Sequence, residues 1–210
     1  MKNASKHADT LKTLYKTLSK QFEVADRPKL DPFRAVVIGA LSEDMTDDRV
    51  EGAMEVFGRE FVDLNELRVA TELEVGELVG DDFPDIVERA AIVRQVLHGI
   101  FDKEHAMKLD RVNQLKSKEI RQYFRELPNI TPYVEGYVMQ TAYEVPAVPI
   151  DQTMVDLLVE EQVIEHGTNT EDAQKFVEAH LKADDTWPFF YVVRAAAAKR
   201  VAKLKTKAKK

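Results

Sequence analysis

Apolar residues recur along this chain at spacings of three and four, which is the period of an α-helix. The most regular run lies between Pro84 and Phe101, where one stripe consists of Ile86, Ala90, Val93, Leu97 and Ile100. Residues 35–41 are apolar on nearly every side, as expected for a helix surrounded by others. No convincing run alternates between apolar and polar positions, the period of a strand. The pattern predicts an all-α chain of about ten short helices.

Several helix boundaries follow from polar residues in front of apolar runs. Thr46 and Asp47 precede one run and form a plausible N-cap with an acid in the first turn. Thr170, followed by two acids, predicts a similar start. Residues 187–204 are also predicted as a helix, because Pro188 then falls in the first turn, where proline is tolerated.

One segment, residues 127–151, has a more specific order of elements. A helix ends near Leu127, a short turn follows, and a second helix runs to about Tyr143. Pro146 and Pro149 then force an extended stretch that leads to Asp151. The segment is therefore predicted as two helices joined by a tight turn, followed by a proline-bounded loop and an aspartate.

This segment resembles the endonuclease III branch of the helix-hairpin-helix DNA glycosylases. The hairpin of that family reads Leu-Pro-Gly-Val-Gly, and an essential aspartate follows the second helix and a proline-containing loop. The matching residues here are Leu127 and Pro128, the run 137–143, and then Pro146, Ile150 and Asp151. Residues 31–47 (DPFRAVVIGALSEDMTD) resemble the early helix of the family and the turn behind it.

The resemblance implies two helical subdomains of the helix-hairpin-helix glycosylase type with a cleft between them. The central helical barrel is expected to span residues 32–144 and to include the hairpin at 127–133. The second subdomain is expected to join residues 1–31 to residues 145–210, with a basic tail at 194–210. The cleft is expected to hold Tyr133 and Asp151.

Tyr133 and Asp151 are the catalytic positions that the resemblance implies. The family aspartate assists attack by water or stabilises positive charge on the deoxyribose, so Asp151 is expected to do the same. Tyr133 matches the lysine that forms a Schiff base in bifunctional members, and a phenol cannot form that imine. Some single-function thymine or uracil glycosylases resemble this chain in having tyrosine there. The structural alternatives are an ordinary N-cap for Asp151 and a packed aromatic ring for Tyr133.

The hairpin and the tail are the positions where DNA contacts are expected. In the family, backbone N–H groups of the hairpin and a bound cation hold a DNA phosphate, and the matching residues here are Asn129, Ile130 and Thr131. Contacts from the tail are expected through Lys199, Arg200 and Lys203. The alternatives are a plain helix–helix connection at the hairpin and a solvated helix end at the tail.

Composition limits the remaining chemistry. The chain has no cysteine, so no cysteine-ligated iron–sulfur cluster is possible and no cofactor is expected. Its five histidines have no metal-ligand spacing, so no metal site is predicted. Because the sequence contains no apolar stretch of membrane-spanning length and no signal peptide, a cytoplasmic protein is expected.

The net charge of −7 is distributed unevenly. Residues 194–210 carry eight Lys or Arg and no acid, and residues 1–20 carry five Lys and one Asp, which leaves a net charge of −19 on the rest of the chain. At two positions where the family has a glutamine or a basic residue, this chain has an acid. Asp44 matches a glutamine that fills the gap left by a flipped base, and Asp156 matches a basic residue.

Two hypotheses for the function follow from these features. The first is a DNA repair enzyme, a monofunctional DNA N-glycosylase that flips a damaged or mismatched base out of duplex DNA and hydrolyses its N-glycosidic bond with help from Asp151. The second is a catalytically inactive member of the fold that acts as a protein-interaction or weak, non-specific DNA-binding module.

Overall fold

The structure, a computed structural model, describes residues 4–208 and is helical along most of that length. It contains no strand between residues 4 and 208, so the all-α prediction is confirmed. Two short 3-10 turns lie at Val112–Gln114 and Ala183–Asp185. The α-helices are α1 (Ala4–Leu18), α2 (Pro32–Ser42), α3 (Asp47–Glu60), α4 (Leu64–Val69), α5 (Glu72–Val79), α6 (Ile86–Glu104), α7 (Ser117–Arg125), α8 (Pro132–Thr141), α9 (Gln152–Glu160), α10 (Thr170–His180) and α11 (Thr186–Ala208).

Two compact units make up the chain. One is the continuous stretch Lys29–Val145, which we call the central unit and which contains α2 to α8. The other, which we call the terminal unit, combines the residues before position 29 with those after position 145, and so contains α1 and α9 to α11.

The core of the central unit forms around α2. This helix packs against α8 and α6, and eight of its eleven residues are buried. Asp31 caps it, because the carboxylate Oδ1 accepts hydrogen bonds from the N–H groups of Phe33 (2.9 Å) and Arg34 (3.3 Å). A Cβ on Gly39 would lie 3.4 Å from the Tyr137 side chain, at van der Waals contact, so α2 and α8 pack closely at this point.

The core of the terminal unit forms along α11, which packs against α9 and α1. Phe189, Val192 and Val193 are fully buried on α11, as is Leu11 on α1. The indole N–H of Trp187 donates a hydrogen bond of 2.8 Å to the Ala25 carbonyl, which ties the first turn of α11 to the chain after α1.

Three predicted helix boundaries differ from the structure. The N-cap of α10 is Asn169 and not Thr170, because the Asn169 side chain accepts a hydrogen bond from the Asp172 N–H at 2.8 Å. Helix α8 ends at Thr141, two residues before Tyr143, and α11 continues past residue 204 to Ala208. Thr46 does precede α3, but its side chain makes no capping hydrogen bond.

Between residues 4 and 208, the structure shows neither a membrane-spanning helix nor a cluster of metal ligands. No helix between residues 4 and 208 is both long enough and apolar enough to cross a membrane. Over the same residues, no group of three or more His, Cys, Asp or Glu side chains is arranged to hold a metal ion.

Candidate functional site

The predicted hairpin is formed by α7, a turn at residues 126–131, and α8. Leu127 is buried, whereas Asn129 is exposed at the tip of the turn. Asn129 has a φ of 57°, in the left-handed region that asparagine tolerates better than most residues. The turn therefore contains a left-handed residue without a glycine.

Pro128 fixes the hairpin to α6. A Cβ built on Gly99, in the middle of α6, would lie 2.4 Å from Cδ and 3.0 Å from Cγ of Pro128. Only a glycine leaves room for the proline ring at this point. The Leu127–Pro128 pair that the sequence shares with the family hairpin is thus packed onto the neighbouring helix.

Thr131 is the N-cap of α8, with a φ of −85°, so its β-branched side chain is not in a strained conformation. Its hydroxyl accepts a hydrogen bond from the Val134 N–H (3.1 Å) and donates one to Oε2 of Glu43 (3.0 Å). Glu43, the residue after α2, therefore places a carboxylate directly at the hairpin. Sequence reasoning missed this contact, which joins residues 88 positions apart.

Tyr133 is buried in the first turn of α8, with 1% of its surface exposed. Its hydroxyl lies 3.4 Å from that of Ser42 at the end of α2. The Tyr133 and Tyr137 rings are stacked, with 6.4 Å between their centroids. In this geometry, the Tyr133 ring is part of the contact between α2 and α8.

An ion-pair cluster joins the two hairpin helices and was also missed by sequence reasoning. Glu135 is buried on α8, and its carboxylate lies 2.7 Å from Nε of Arg121 and 3.0 Å from Nε of Arg125, both on α7. The available signal was a pair of arginines four residues apart and a single acid in an otherwise apolar helix. We call these three residues the hairpin ion cluster.

Asp151 belongs to the terminal unit, where it is the N-cap of α9. It is 2% exposed, and Oδ1 accepts hydrogen bonds from the Met154 N–H and from the Thr153 hydroxyl, both at 2.8 Å. The loop before it is buried from Ala147 to Ile150. The two hydrogen bonds hold the Asp151 carboxylate at the start of α9.

The basic residues predicted in the tail lie on α11, at the end of the terminal unit. Arg200 forms an ion pair with Glu160 through Nε, and its NH1 nitrogen is 3.9 Å from Asp156 Oδ2. The Lys199 ammonium is 5.8 Å from the centroid of the Phe22 ring, and Lys203 is exposed. Part of the positive charge of α11 therefore offsets acids within its own unit.

The side chains of Asp44 and Asp156 are both exposed. Asp44, in the turn between α2 and α3, has a φ of 55°, and Asp156 lies on α9. The Asp156 carboxylate accepts a hydrogen bond of 2.8 Å from the Gln152 amide, and the Arg200 guanidinium lies 3.9 Å from it.

No protein-family model matches the sequence, and no curated protein matches it. Solved structures do match. The structure of endonuclease III trapped as a covalent intermediate with DNA has a TM-score of 0.70 at 13% identity, over 89% of this chain and 84% of that chain. A thermostable thymine-DNA glycosylase has a TM-score of 0.61 at 14% identity, over 93% of this chain and 86% of that one. An H. pylori 3-methyladenine DNA glycosylase bound to 1,N6-ethenoadenine has a TM-score of 0.64 at 14% identity, over 94% and 97%. Identities at this level show a shared fold.

Proposed function

We propose that this chain, which has the fold of the helix-hairpin-helix DNA glycosylases, is a DNA repair protein that acts as a monofunctional DNA N-glycosylase. Its substrate is duplex DNA with a damaged or mismatched base. The observation that carries the proposal is the Asp151 carboxylate, held at the N-cap of α9 directly after the proline-bounded loop. The solved structures of similar fold include one trapped as a covalent intermediate with DNA and one bound to a modified base.

The role proposed for Asp151 is electrostatic and basic. As the base leaves with the electrons of the N-glycosidic bond, positive charge develops on the deoxyribose, and a carboxylate stabilises it. The same carboxylate accepts a proton from the water that forms the new bond to the sugar. The hydrogen bonds from Thr153 and Met154 hold the Asp151 carboxylate in one orientation.

The reaction stops after base release, because Tyr133 has no amine with which to form an imine. Strand cleavage by a Schiff base at this position is therefore absent from the proposed mechanism. Tyr133 acts as a packed ring that holds the start of α8 against α2.

The proposed DNA contacts are the turn residues Asn129, Ile130 and Thr131 and the basic side chains Lys199, Arg200 and Lys203. The turn contributes backbone groups at the exposed tip of the hairpin. The basic side chains contribute attraction to phosphates, which is sensitive to salt.

The test is base release from duplexes that carry uracil, thymine opposite guanine, an alkylated base or an oxidised base. Asparagine is as good an N-cap as aspartate, so Asp151→Asn removes the charge and keeps the helix cap. We expect Asp151→Asn to slow base release by about 100-fold or more, with the unfolding transition unchanged. We also expect no DNA adduct after borohydride reduction. Base release at the wild-type rate by the Asn variant would contradict the proposal.

A second candidate function is favoured by the contact between Glu43 and Thr131. The carboxylate of Glu43 stands where a phosphate would approach the hairpin, and like charges repel. The chain would then be a non-catalytic module that binds proteins or, weakly and non-specifically, DNA.

Binding to duplexes with and without a stable abasic-site analogue separates the two functions. The glycosylase predicts tighter binding to the abasic duplex, and the non-catalytic module predicts equal binding to both. Glu43→Gln should strengthen binding to the abasic duplex if the carboxylate repels a phosphate at the hairpin. The exposed position Glu51 on α3 gives the matched control, Glu51→Gln.

A further inference from the structure

A groove on the central unit combines exposed apolar side chains with carboxylates. It is an open depression of about 570 Å³ formed by the end of α3, by α4 and by α5. Its lining includes the apolar residues Val69 and Leu78, and its acidic residues are Glu60, Glu66, Glu74 and Glu77. We call this feature the acidic groove.

The apolar residues around the acidic groove are unusually exposed. Val69 is 59% exposed and Leu78 is 39% exposed. Two further apolar residues of the groove lining, Phe61 and Ala70, are half-buried. Single apolar residues at a surface are ordinary, whereas a group of them beside one groove is typical of an interaction site.

Negative charge is concentrated in the same part of the chain. Residues 43–88 contain sixteen Asp or Glu and three Arg, a net charge of −13. The arginines interact locally: Arg49 binds the Asp82 carbonyl, Arg59 pairs with Glu60, and Arg68 lies over the Phe101 ring. The acidic groove is therefore left with a strongly negative potential.

Two glutamates of the acidic groove, Glu66 and Glu74, accept hydrogen bonds from residues at nearby helix starts. Glu74 accepts hydrogen bonds from the backbone N–H of Thr71 (2.7 Å) and from its hydroxyl (2.9 Å). These two bonds lower the pKa of Glu74. Glu66 accepts a hydrogen bond from the Val62 N–H at 2.6 Å. Backbone and hydroxyl donors, and no lysine or arginine, orient these two carboxylates in the contacts described.

We propose that the acidic groove binds a basic amphipathic helix of a partner protein. Apolar side chains spaced along one face of such a helix fill a hydrophobic groove, and this mode of recognition is widespread. Lysine or arginine side chains flanking that face would pair with the glutamates at the groove. A nucleic acid is excluded as the occupant, because its phosphates and these carboxylates carry the same charge.

This interaction is separate from the proposed glycosylase activity. The acidic groove lies on α3 to α5, whereas Thr131 and Tyr133 are on the hairpin and Asp151 is in the terminal unit. If the protein releases the base but does not bind the peptide, only the proposal for the acidic groove is contradicted. If it binds the peptide but does not release a base, only the proposed glycosylase activity is contradicted.

The test uses a fluorescent synthetic peptide of about 14 residues, four helical turns, built from leucine and lysine with the leucines on one helix face. Its matched control is a scrambled peptide of the same composition, which carries the same charge without an apolar face. Fluorescence anisotropy with the full chain measures the affinity for each peptide. We expect the amphipathic peptide to bind at least about tenfold more tightly than the scrambled one. Equal binding of the two would overturn the proposal.

Substitutions in the chain locate the binding surface. Val69→Ser and Leu78→Ser remove apolar groups that line the groove and are exposed enough for the fold to tolerate the change. We expect the double variant to weaken binding of the amphipathic peptide by about tenfold or more. Leu73→Ser, on the same helix as Leu78 but outside the groove lining, is the matched control. A loss as large in Leu73→Ser as in the double variant would contradict the location.

A charge variant and an assembly measurement complete the test. Glu77→Gln should weaken binding and reduce its salt dependence, whereas Glu51→Gln, outside the groove lining, should do neither. Sedimentation of the full chain alone should give a monomer at the concentrations used for the peptide. Self-association that is lost on Val69→Ser and Leu78→Ser would instead identify a second copy of this chain as the occupant and overturn the proposal of a partner protein.

Discussion

The contact between Gly99 and Pro128 shows how closely the hairpin is held at the scale of single atoms. A methyl group at position 99 would lie 2.4 Å from a ring carbon of Pro128, and neither α6 nor a proline ring can move aside easily. The glycine is therefore required for packing, since its backbone is ordinary helix.

We expect Gly99→Ala to lower the free energy of unfolding by about 1–3 kcal/mol, measured by urea denaturation, because overpacking forces a backbone shift. Gly52 is the matched control, since it lies inside α3 and a Cβ there would have no neighbour within 4 Å. Gly52→Ala should raise the free energy of unfolding by about 0.5–1 kcal/mol. Equal effects of the two changes would show that Gly99 is not a packing constraint.

Residue-scale features could be predicted from the sequence where they are local. Asp151 as an N-cap needs only its own chemistry and the helix that follows, and this interpretation is confirmed. The left-handed conformation of Asn129 agrees with its residue type, since asparagine tolerates that region better than most residues. The contact of Glu43 with Thr131 could not be predicted, because it depends on how α2 and the hairpin pack.

At the scale of elements, the hairpin ion cluster links α7 to α8 through side chains that lie on the two helices and not in the turn between them. The side chain of Glu135 is 3% exposed, whereas that of Arg125 is 53% exposed, so the carboxylate is the buried member. Removing one partner of a buried ion pair leaves the other charge poorly solvated. The relative position of the two hairpin helices should therefore depend on this cluster.

A double-mutant cycle with Arg121→Gln and Glu135→Gln should give a coupling of about 1–3 kcal/mol in the free energy of unfolding. The exposed pair of Lys103 and Glu126, whose charged atoms are 3.1 Å apart, provides the comparison. Its coupling should be about 0–1 kcal/mol. A coupling in the hairpin no larger than that of the exposed pair would contradict the role given to the cluster.

The ion pair between Glu104 and Arg111 connects the end of α6 to the segment before α7. The hydrogen bond from Arg111 to Glu104 lowers the pKa of Glu104 below its ordinary value of 4.5. A carboxyl whose pKa is lowered on folding contributes stability above its unfolded pKa and loses that contribution as the pH falls through its folded pKa.

Wild type should therefore exceed Glu104→Gln in free energy of unfolding near pH 7. This difference should shrink as the pH falls from about 4.5, because the carboxyl of the wild type becomes neutral. Denaturant titrations at several pH values measure it, with Glu51→Gln as an exposed control. A difference that is constant from pH 7 to pH 3 would show that the charge of Glu104 is not the cause.

Element types were predicted better than element ends. The three-and-four spacing in α6 indicates a helix because it repeats from Ile86 to Ile100, over about four turns. The start of α10 depends on whether Asn169 or Thr170 captures an N–H, and both residue types are good caps. The tail end of α11 was predicted too short, because its lysines and alanines favour helix without giving a hydrophobic stripe.

At the scale of the whole molecule, charge of opposite sign is separated along the chain. The stretch 43–88 carries a net charge of −13, whereas residues 194–210 carry eight positive charges and no negative ones. Affinity for DNA should come mainly from the end of α11, and should fall steeply with salt.

Changing Lys203, Lys205 and Lys207 to Gln should reduce the slope of log affinity against log salt by about 2–3, if each lysine neutralises one phosphate. Substitution is preferable to truncation after residue 193, because Ala197 is buried and its loss would damage the terminal unit. The helix content, checked by circular dichroism, should not change. A matched change at Lys175 on α10 should leave the slope unaltered, and an unaltered slope in the triple variant would exclude the tail from DNA binding.

The fold of the whole molecule was predicted from the helical spacing of apolar residues and from two segments, residues 31–47 and 127–151. The order of elements in residues 127–151 indicated the helix-hairpin-helix glycosylase fold, and the similarity to solved structures confirms it. Activity could not be predicted to the same degree. The surroundings of single side chains, such as Glu43 and Tyr133, are set by residues distant in sequence, and the proposed activity would depend on such surroundings.

The division of the chain into units also orders events during synthesis. The central unit is one uninterrupted stretch, so it can fold as soon as it leaves the ribosome. Helix α1 is made before the central unit, but its apolar residues Leu11, Leu14 and Leu18 are buried in a unit that requires α11, which is made after the central unit. The apolar face of α1 therefore stays uncovered while the whole central unit is synthesised, and chaperones that bind such segments have that interval in which to act.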